Sequence, residues 1–438
     1  MPVPRLRRQQ HLYFSLALWR RRLVFWGGAV AVGAISVGFA LLADWVQRWF
    51  SGTFSGHVWW TLAVTPAGFM LSAFLCRRFF PGAQGSGIPQ TIAARVLRSP
   101  EQRTRLLSLR LTAAKVALTL LGLGCGASIG REGPTVQVGA SIMLQTARWS
   151  VMGRERGLIL AGGAAGVAAA FNTPLAGIVF AIEELSRAYE SRTSFLVLSA
   201  VILAGLASLG LVGNYSYFGV TDAALGGPLD WLAVILCGVG GGLLGALFAK
   251  ATLFGTLALR RAIAPKPIRR ALLVAFLCGL LVAVMAIATD GATWGTGYEQ
   301  ARAALEGHAP AWYFAPLKLL ATLLSTLAGL PGGIFAPSLS VGAGIGSVVA
   351  AWFPDAVGGA VVVLGMAGYF AGAVQAPITA FVIITEMTAN HRMIIPLMLA
   401  AVLGYGVSRL INRRPLYEAL SAGFLREAPP HVTVTQGG

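Results

Sequence analysis

Charged residues are scarce in this chain of 438 residues. Asp, Glu, Lys and Arg make up 11% of it, whereas roughly 25% is usual in soluble proteins. Hydrophobic residues account for 56%, and the mean hydropathy is +0.71. This composition argues against an ordinary soluble globular protein and excludes a disordered chain. A polytopic membrane protein fits instead, and at about 20 residues per crossing plus loops the length suggests roughly ten or more crossings.

Cysteine and histidine are too few, and too widely spaced, for most catalytic or metal sites. The four cysteines contain no CxxC pair, which excludes a disulfide framework and a zinc ribbon. Residues 126–130 match the hydrolase pattern GxSxG, but the five histidines lie outside the apolar runs and supply no base. No Walker lysine motif supports ATP-driven transport. We therefore expect neither an enzyme nor a cofactor.

A second motif, GxGxxG, is formed by Gly240, Gly242 and Gly245 within an apolar segment. Glycines in such a segment favour close packing of membrane helices over dinucleotide binding. We therefore expect this motif to be structural.

Basic residues outnumber acidic ones by 34 to 16, which gives a formal net charge of +18. They cluster in short segments between apolar runs, at 5–8, 20–22, 95–110, 148–156, 260–270 and 413–414. This is the positive-inside pattern of a polytopic membrane protein, and it does not resemble the basic face of a nucleic-acid-binding domain. The expected surroundings are the lipid bilayer, and no nucleic acid partner is expected.

The chain is predicted to have four parts. A cytoplasmic amphipathic segment (1–22) without a cleavable signal peptide is followed by two transmembrane repeats (23–215 and 225–412) and a short C-terminal segment (413–438). Several apolar runs, such as 158–182, 317–351 and 356–385, are too long for one crossing and are interrupted by Gly and Pro. Broken helices at membrane depth are tolerated only where they are buried or line a cavity. We therefore expect the functional site at these interruptions.

The two repeats are related by a shift of 203 residues. Between 115–142 and 318–345, 11 of 28 ungapped positions are identical, and the matched pairs include Lys115 with Lys318 and Pro134 with Pro337. Equivalent loops carry opposite charge: segment 95–110 holds five arginines, whereas its image at 298–313 holds one. Equivalent loops are therefore expected on opposite membrane faces. Such inverted repeats characterise secondary transporters, whose substrate site lies between the halves.

Three segments rich in Gly and Pro suggest that site. They are GSGIP at 85–89, GREGP at 130–134 and GGIFAP at 332–337. Each precedes an apolar stretch, and proline favours the first helical turn. Each segment therefore predicts a helix that starts inside the membrane, where free N–H groups and a partial positive charge suit an anion.

With these motifs the sequence resembles the CLC family of chloride channels and proton/chloride antiporters. The resemblance covers nearly the whole chain and includes the run AFNTPLAGIVFAIEE at 170–184, EMT at 386–388 and PLY at 415–417. It implies an all-α polytopic fold of about eighteen tilted or partial helices and a homodimer with one pathway per subunit. It also implies a multi-pass protein of the bacterial inner membrane with both termini in the cytoplasm.

The resemblance also implies roles for individual residues. Ser86 and Tyr417 correspond to the two hydroxyl ligands of the central anion, Ile334 and Phe335 to donors of backbone N–H groups, and Glu132 to the external gating glutamate. Glu184 corresponds to the internal proton-transfer glutamate of antiporters. The anion-binding residues implied in this way are Ser86, Ile334, Phe335, Tyr417, Gly130, Arg131 and Gly133.

Physical chemistry supports the role of Glu132. An ionised carboxylate is itself an anion, so it can compete with chloride at a helix N-terminus, and protonation would release it. The alternatives are an Arg131–Glu132 pair or a simple helix cap. Arg131 itself is more readily structural, with only its backbone N–H near the anion.

The predicted function is proton-coupled chloride antiport, because Glu184 favours coupling. The alternatives are a passive voltage- or pH-gated chloride channel of the same fold and a carrier for another anion such as fluoride or nitrate. Within the family, the serine of the GSGIP segment, Ser86, favours chloride over these other anions.

A few positions depart from the family pattern or have a second reading. Bacterial relatives carry acidic residues where this chain has Gln90 and Ile92, which questions the internal proton route. Glu183 is expected to be structural, and Lys115 and Lys318 are expected to snorkel or to pair with an acid.

Overall fold

The computed structural model describes residues 16–150, 155–187, 191–353 and 358–426, which form eighteen α-helices. Most of the predicted amphipathic segment and part of the predicted C-terminal segment lie outside the described residues. The helices of the first half are α1 (Leu16–Phe54), α2 (Thr61–Arg78), α3 (Ile88–Val96), α4 (Pro100–Leu106), α5 (Leu109–Leu123), α6 (Glu132–Trp149), α7 (Glu155–Phe171), α8 (Pro174–Phe180) and α9 (Ser191–Val212).

The second half contains nine further helices. With these, the prediction of an all-α fold is confirmed. The nine helices are α10 (Trp231–Ile263), α11 (Pro267–Ala288), α12 (Tyr298–Leu305), α13 (Phe314–Leu327), α14 (Phe335–Ala350), α15 (Gly358–Val374), α16 (Pro377–Thr388), α17 (Ile394–Ile411) and α18 (Leu416–Arg426). A π-helical turn, Ala181–Ser186, extends α8.

Seven of the described helices are long and apolar enough to cross a membrane. They include Trp19–Phe54, Pro228–Ile263 and Pro267–Ala288. Others are shorter than a crossing requires, such as α14 and α16. Short helices satisfy their backbone groups at membrane depth only when their ends lie within protein. The chain is therefore a multi-pass membrane protein with broken helices in its interior.

Equivalent helices of the two halves share the register of 203 residues. α6 and α14 begin at residues 132 and 335, α7 and α15 end at 171 and 374, and α8 and α16 begin at 174 and 377. The residues that directly follow α7 and α15, Asn172 and Gln375, both adopt the left-handed conformation with φ of 55° and 63°. A proline then begins the next helix in each half, where its missing N–H costs nothing. The long apolar runs are thus broken at the same place twice.

Glycines allow the central helices to cross closely. α7 is buried from residue 157 to 171, and α15 from 359 to 374. A Cβ on Gly139 of α6 would lie 2.1 Å from the Gly162 carbonyl oxygen of α7. Their images, Gly342 and Gly365, meet in the same way at the crossing of α14 and α15, where a Cβ on Gly365 would lie 2.4 Å from the Gly342 oxygen. Small residues at crossings let membrane helices approach backbone to backbone.

Two glutamates join the halves reciprocally. The Glu183 carboxylate accepts hydrogen bonds from the backbone N–H groups of Ile378 (3.0 Å) and Thr379 (2.7 Å) in the first turn of α16. Its image, Glu386, accepts from Leu175 (3.0 Å) and Ala176 (2.7 Å) in the first turn of α8. Each carboxylate satisfies helix-terminal donors of the other half. Glu183 therefore has the structural role expected for it.

The expectation for the two lysines is wrong. Lys115 and Lys318 are completely buried and therefore do not snorkel, and neither pairs with an acid among the described residues. Lys115 Nζ donates to the Gly85 carbonyl at 3.0 Å. Lys318 Nζ donates to the carbonyls of Thr293, Trp294 and Gly295 at 2.9, 3.3 and 2.8 Å. These carbonyls belong to turns between helices, where they have no helical partner, so the lysines hold loops in place.

Candidate functional site

The three Gly- and Pro-rich segments meet inside the protein. Gly130 and Gly333, which are equivalent in the two repeats, exchange backbone hydrogen bonds of 2.7 and 2.6 Å. Gly85 donates to the Leu330 carbonyl at 3.2 Å and accepts from Gly332 at 3.3 Å. Residues more than 200 positions apart are therefore held at one point, which we call the junction.

Three helices begin at the junction. They are α3, α6 and α14, and the residues before their first turns are Gly87, Arg131 and Ile334. None of these three residues caps its helix with a side chain, so the first N–H groups are left for another acceptor. Converging N-termini also bring partial positive charge to one place. The junction therefore has the donors and the potential that an anion needs.

Two hydroxyl groups face a cavity beside the junction. The cavity has a volume of about 740 Å³, and its lining includes Ser86, Ile334 and Tyr417. The hydroxyls of Ser86 and Tyr417 lie close to each other, but both are buried without a regular hydrogen-bond partner among the described residues. A buried hydroxyl without a partner costs free energy, and an anion would satisfy both groups.

Aromatic rings hold Phe335 against this site. Its ring stacks on Tyr417 with centroids 6.2 Å apart and planes inclined by 18°. Phe180 and Phe370 meet the same ring edge to face at 5.5 and 4.7 Å. Such pairs are favourable beyond the burial of their area. The cluster therefore fixes the start of α14 and keeps one side of the site apolar.

Glu132 lies at the junction with its carboxyl group buried. Only 1% of the residue is exposed, and in the described part of the chain neither carboxyl oxygen has a regular hydrogen-bond partner. The side chain folds back over Gly130, where an added Cβ would lie 2.2 Å from Oε2, and it faces the N–H of Ala336. A buried carboxyl group without partners is costly in a structural role. Glu132 is therefore a candidate functional residue.

The side chain of Arg131 points away from the junction. Its guanidinium group donates to the Ala40 carbonyl at 2.5 Å and pairs with Asp44 at 2.5 Å. It also lies over the ring of Tyr217, 5.9 Å from the centroid. These contacts give the side chain a structural role and leave only its backbone near the anion-binding segment.

Two cavities lie near the start of α6, and they differ in their acidic residues. The arginine-lined cavity, which contains Ser86 and Tyr417, includes Arg77, Arg105 and Arg260, and no acidic residue lines it. The tyrosine-lined cavity measures about 480 Å³, and its lining includes three arginines (Arg48, Arg131 and Arg302), three tyrosines and the acids Asp44 and Glu299. Glu132 lines neither cavity, but its neighbour Arg131 lines one, and a Cβ on its other neighbour, Gly133, would touch Ser86 of the other. The residues next to Glu132 thus lie close to both cavities.

The second buried acid, Glu184, lies on the π-helical turn after α8. It is 1% exposed, and neither carboxyl oxygen has a hydrogen-bond partner among the residues that the structure describes. Arg187 Nη2 lies 3.9 Å from Glu184 Oε2, and the same guanidinium group pairs with Glu418 of α18. Tyr417 lies within electrostatic range of both Glu184 and Glu132. The structure therefore brings both predicted proton groups close to Tyr417, one of the predicted anion ligands.

Three residues that contact the candidate site were not predicted from the sequence: Asp44, Phe180 and Glu418. Asp44 interrupts an apolar helix, which is itself a signal of function. Glu418 follows Tyr417 directly and is an acid beside a predicted ligand. Nothing in the local sequence indicates that Phe180 contacts Phe335, because that contact arises only from packing.

The two alternative motifs have structural roles. Ser128 of the GxSxG segment is buried, and its Oγ lies 2.9 Å from Thr322 Oγ1. Gly242 and Gly245 of the GxGxxG segment lie against the backbones of Gly404 and Tyr369. Within the described residues, no cluster of three His, Cys, Asp or Glu side chains is suited to a metal ion.

The broken helices of two equivalent halves, their meeting point inside the protein and the buried acids beside it define the class of membrane transport proteins with internal repeats. The model of the family described as voltage gated chloride channel matches residues 68–409. The chain belongs to this CLC family, as the sequence predicted.

Similar relatives include bacterial proteins named H(+)/Cl(-) exchange transporter ClcA. The protein of Yersinia pestis bv. Antiqua (strain Angola) is 31% identical over 420 residues, which cover 90% of this chain and 85% of the relative. The protein of Citrobacter koseri is 30% identical over 413 residues, which cover 89% and 85%.

Solved structures share the fold. A slow cyanobacterial Cl-/H+ antiporter matches with a TM-score of 0.79 and 24% identity, over 93% of this chain and 99% of the other. A CLC-type fluoride/proton antiporter matches with a TM-score of 0.78 and 23% identity, over 92% and 98%. Both neighbours thus match almost from end to end.

Proposed function

We propose that this protein is a secondary active antiporter that exchanges chloride for protons across a membrane. It belongs to a family of anion transport proteins, and relatives named H(+)/Cl(-) exchange transporters cover most of the chain. The observation that carries the proposal is the buried, unpartnered Glu132 carboxyl group at the start of α6 and α14. Transport by this route needs no covalent step, so no enzymatic activity is proposed.

Chloride binds where converging donors replace its hydration. The Ser86 and Tyr417 hydroxyls supply two donors, and the backbone N–H groups of Ile334 and Phe335 supply two more. Gly130, Arg131 and Gly133 shape the start of α6 and contribute backbone rather than side chains. Neutral donors hold an anion less tightly than a buried guanidinium group would, and conduction requires weak binding at several positions.

Glu132 couples the two ions by competition. Its ionised carboxylate occupies the anion position between the two cavities, and chloride displaces it. Protonation removes its charge and so frees the position for chloride. One residue therefore responds to both substrates, which is the minimum requirement for exchange.

Glu184 exchanges protons with the inner solution. It lies on the side of Tyr417 and the arginine-lined cavity, and the charge pattern of the loops assigns that side to the cytoplasm. Protons and chloride thus share the path at Glu132 and separate on the inner side.

The charge pattern of the loops also underlies the membrane orientation that we propose. We infer an inverted pair of repeats, 23–215 and 225–412, in the bacterial inner membrane, with both termini in the cytoplasm. We also infer a homodimer in which each subunit has its own pathway. Exposed apolar side chains on the outer helices, such as Leu206 and Leu281, provide surface for lipid and for a second subunit.

Flux measurements on purified protein in liposomes test the function. A chloride gradient is imposed without a proton gradient, the voltage is clamped with a potassium ionophore, and the external pH is recorded. We expect chloride to drive protons uphill. Glu184→Gln is expected to abolish proton movement and to leave chloride movement largely intact.

Two other results of the flux measurement would favour a passive channel or a different anion. Chloride flux without proton movement would indicate a passive channel and would overturn the role of Glu184. Absence of both fluxes would overturn the chloride assignment based on Ser86, and the measurement would then be repeated with fluoride and nitrate.

A further inference from the structure

A cluster of two acids and one base connects the buried Glu184 with the surface. The guanidinium group of Arg187 pairs with Glu418 and lies 3.9 Å from Glu184. The exposed fractions of the side chains are 0% for Glu184, 34% for Arg187 and 40% for Glu418. One arginine therefore bridges a carboxyl group without contact with water and one that meets it.

The backbone orients Arg187 toward both acids. It ends the π-helical turn in the left-handed conformation, with φ of 54°. A non-glycine residue in this conformation is uncommon and carries strain. The turn brings Arg187 within reach of Glu184, three positions earlier, and of Glu418 at the start of α18.

The other charged groups around this turn are already engaged. Glu183 of the same turn binds the first N–H groups of α16. Arg95 of α3 donates to the carbonyls of Leu185 and Ser186 and to the Ser186 hydroxyl. The segment of α7 and α8 from 157 to 180 contains no charged residue. From α18, Tyr417 and Glu418 face the cluster.

Helix α3 provides no acid for this purpose. The side chain of Gln90 is committed to the backbone: its amide donates to Gly82 (3.2 Å) and Gln84 (2.7 Å), and its oxygen accepts from Gly87 (3.1 Å). Ile92, one turn before Arg95, is apolar and 9% exposed. A proton that reaches Glu184 from the inner solution therefore needs another carrier.

The charges of the cluster suit a single mobile proton. Two ionised carboxylates and one guanidinium group carry a net charge of −1, and one added proton makes the cluster neutral. A neutral cluster is favoured where burial penalises net charge. The proton can reside on either acid while Arg187 pairs with the other.

We propose that Glu418 takes up the proton on the inner side and delivers it to Glu184, and that Arg187 is the positioning residue between them. In the transfer an O–H bond breaks at Glu418 and one forms at Glu184, directly or through one water. Glu418 is left as a carboxylate and pairs with Arg187.

The test rests on the proposed antiport and uses the full chain in liposomes. Glu418→Gln removes the proton-carrying group and keeps the size of the side chain. We expect proton flux to fall about tenfold, as when a proton-transfer group is lost, while chloride flux changes less than about twofold. The dependence of proton flux on internal pH should flatten, and Glu418→Asp should restore both. Glu306→Gln is the matched control, because Glu306 is an exposed acid paired with Arg302; no effect is expected.

The results that would contradict the role of Glu418 differ from the result that would contradict antiport itself. If Glu418→Gln lowers both fluxes equally, the Arg187–Glu418 pair only anchors α18, and the proposal is wrong. An unchanged proton flux in Glu418→Gln would also overturn it. If the unmodified protein moves chloride without protons, the antiport function itself is wrong, and this proposal falls with it.

Discussion

The two repeats have the same backbone at the junction but different side chains. Gly130 and Gly333 form a symmetric pair of hydrogen bonds, and a helix begins two residues later in each repeat. The first residue of that helix is Glu132 in one repeat and Phe335 in the other. Both positions are buried, but only one can carry charge. The two repeats therefore share the backbone of the junction, and only the first repeat has a titratable residue at this helix start.

The ends of α8 and α16 show the same division. Glu183 and Glu386 make equivalent contacts with the opposite half, whereas the next residues are Glu184 and Met387. The left-handed residue that ends the segment is Arg187 in the first repeat and Ala389 in the second, which are 202 rather than 203 positions apart. The first repeat thus accommodates one additional residue, and it does so in the π-helical turn that carries Glu184. Single π-helical turns commonly occur at functional sites.

The largest effect is expected when Glu132 and Phe335, the first residues of α6 and α14, are substituted. Glu132→Gln removes the charge that competes with the anion and the proton that relieves it. We expect proton flux to fall by about 100-fold or more, with chloride flux retained, in the liposome assay described above.

Phe335→Leu is the matched substitution in the second repeat. It disturbs the aromatic cluster, so chloride flux should fall, but the ratio of protons to chloride should stay constant. A change of that ratio in Phe335→Leu, or coupled transport in Glu132→Gln, would contradict the asymmetry.

The buried lysines offer a test of intermediate size. Lys318→Met leaves three carbonyls without their donor, whereas Lys115→Met leaves Gly85 with the hydrogen bond from Gly332. Each lost hydrogen bond at a buried group costs about 1–3 kcal/mol. We therefore expect Lys318→Met to lower the free energy of unfolding by about 2 kcal/mol more than Lys115→Met, as measured by denaturant titration in detergent micelles. Equal losses would show that the equivalent lysines are also energetically equivalent.

The smallest expected difference is between the two capping glutamates. Glu183→Gln and Glu386→Gln each weaken two hydrogen bonds at a helix N-terminus, and each should cost about 1 kcal/mol. The two losses should agree within about 0.5 kcal/mol, because the distances to the backbone are the same. The same titration measures them. A large excess at Glu183 would assign weight to its additional bond with the Thr379 hydroxyl.

Much of this site could be predicted from composition and spacing. The register of 203 residues, the three Gly- and Pro-rich segments and Glu132 are all visible in the sequence, because helix starts and breaks depend on local residues. The lysines show the limit of such reasoning. Their environment consists of backbone carbonyls supplied by loops far along the chain, and no pattern around Lys115 or Lys318 indicates where those carbonyls lie.

The sequence by itself determined the membrane environment, the repeated order of helices and the places where helices break, because apolar runs, Gly and Pro act over a few neighbouring residues. Only the tertiary structure decided which broken ends meet, that the Glu132 carboxyl group lies over Gly130, and that Arg187 joins Glu184 to Glu418. These contacts link residues up to 247 positions apart, as in the pair of Gly85 and Gly332. They depend on how buried helices pack, since in a membrane each polar group must find its partner within the protein.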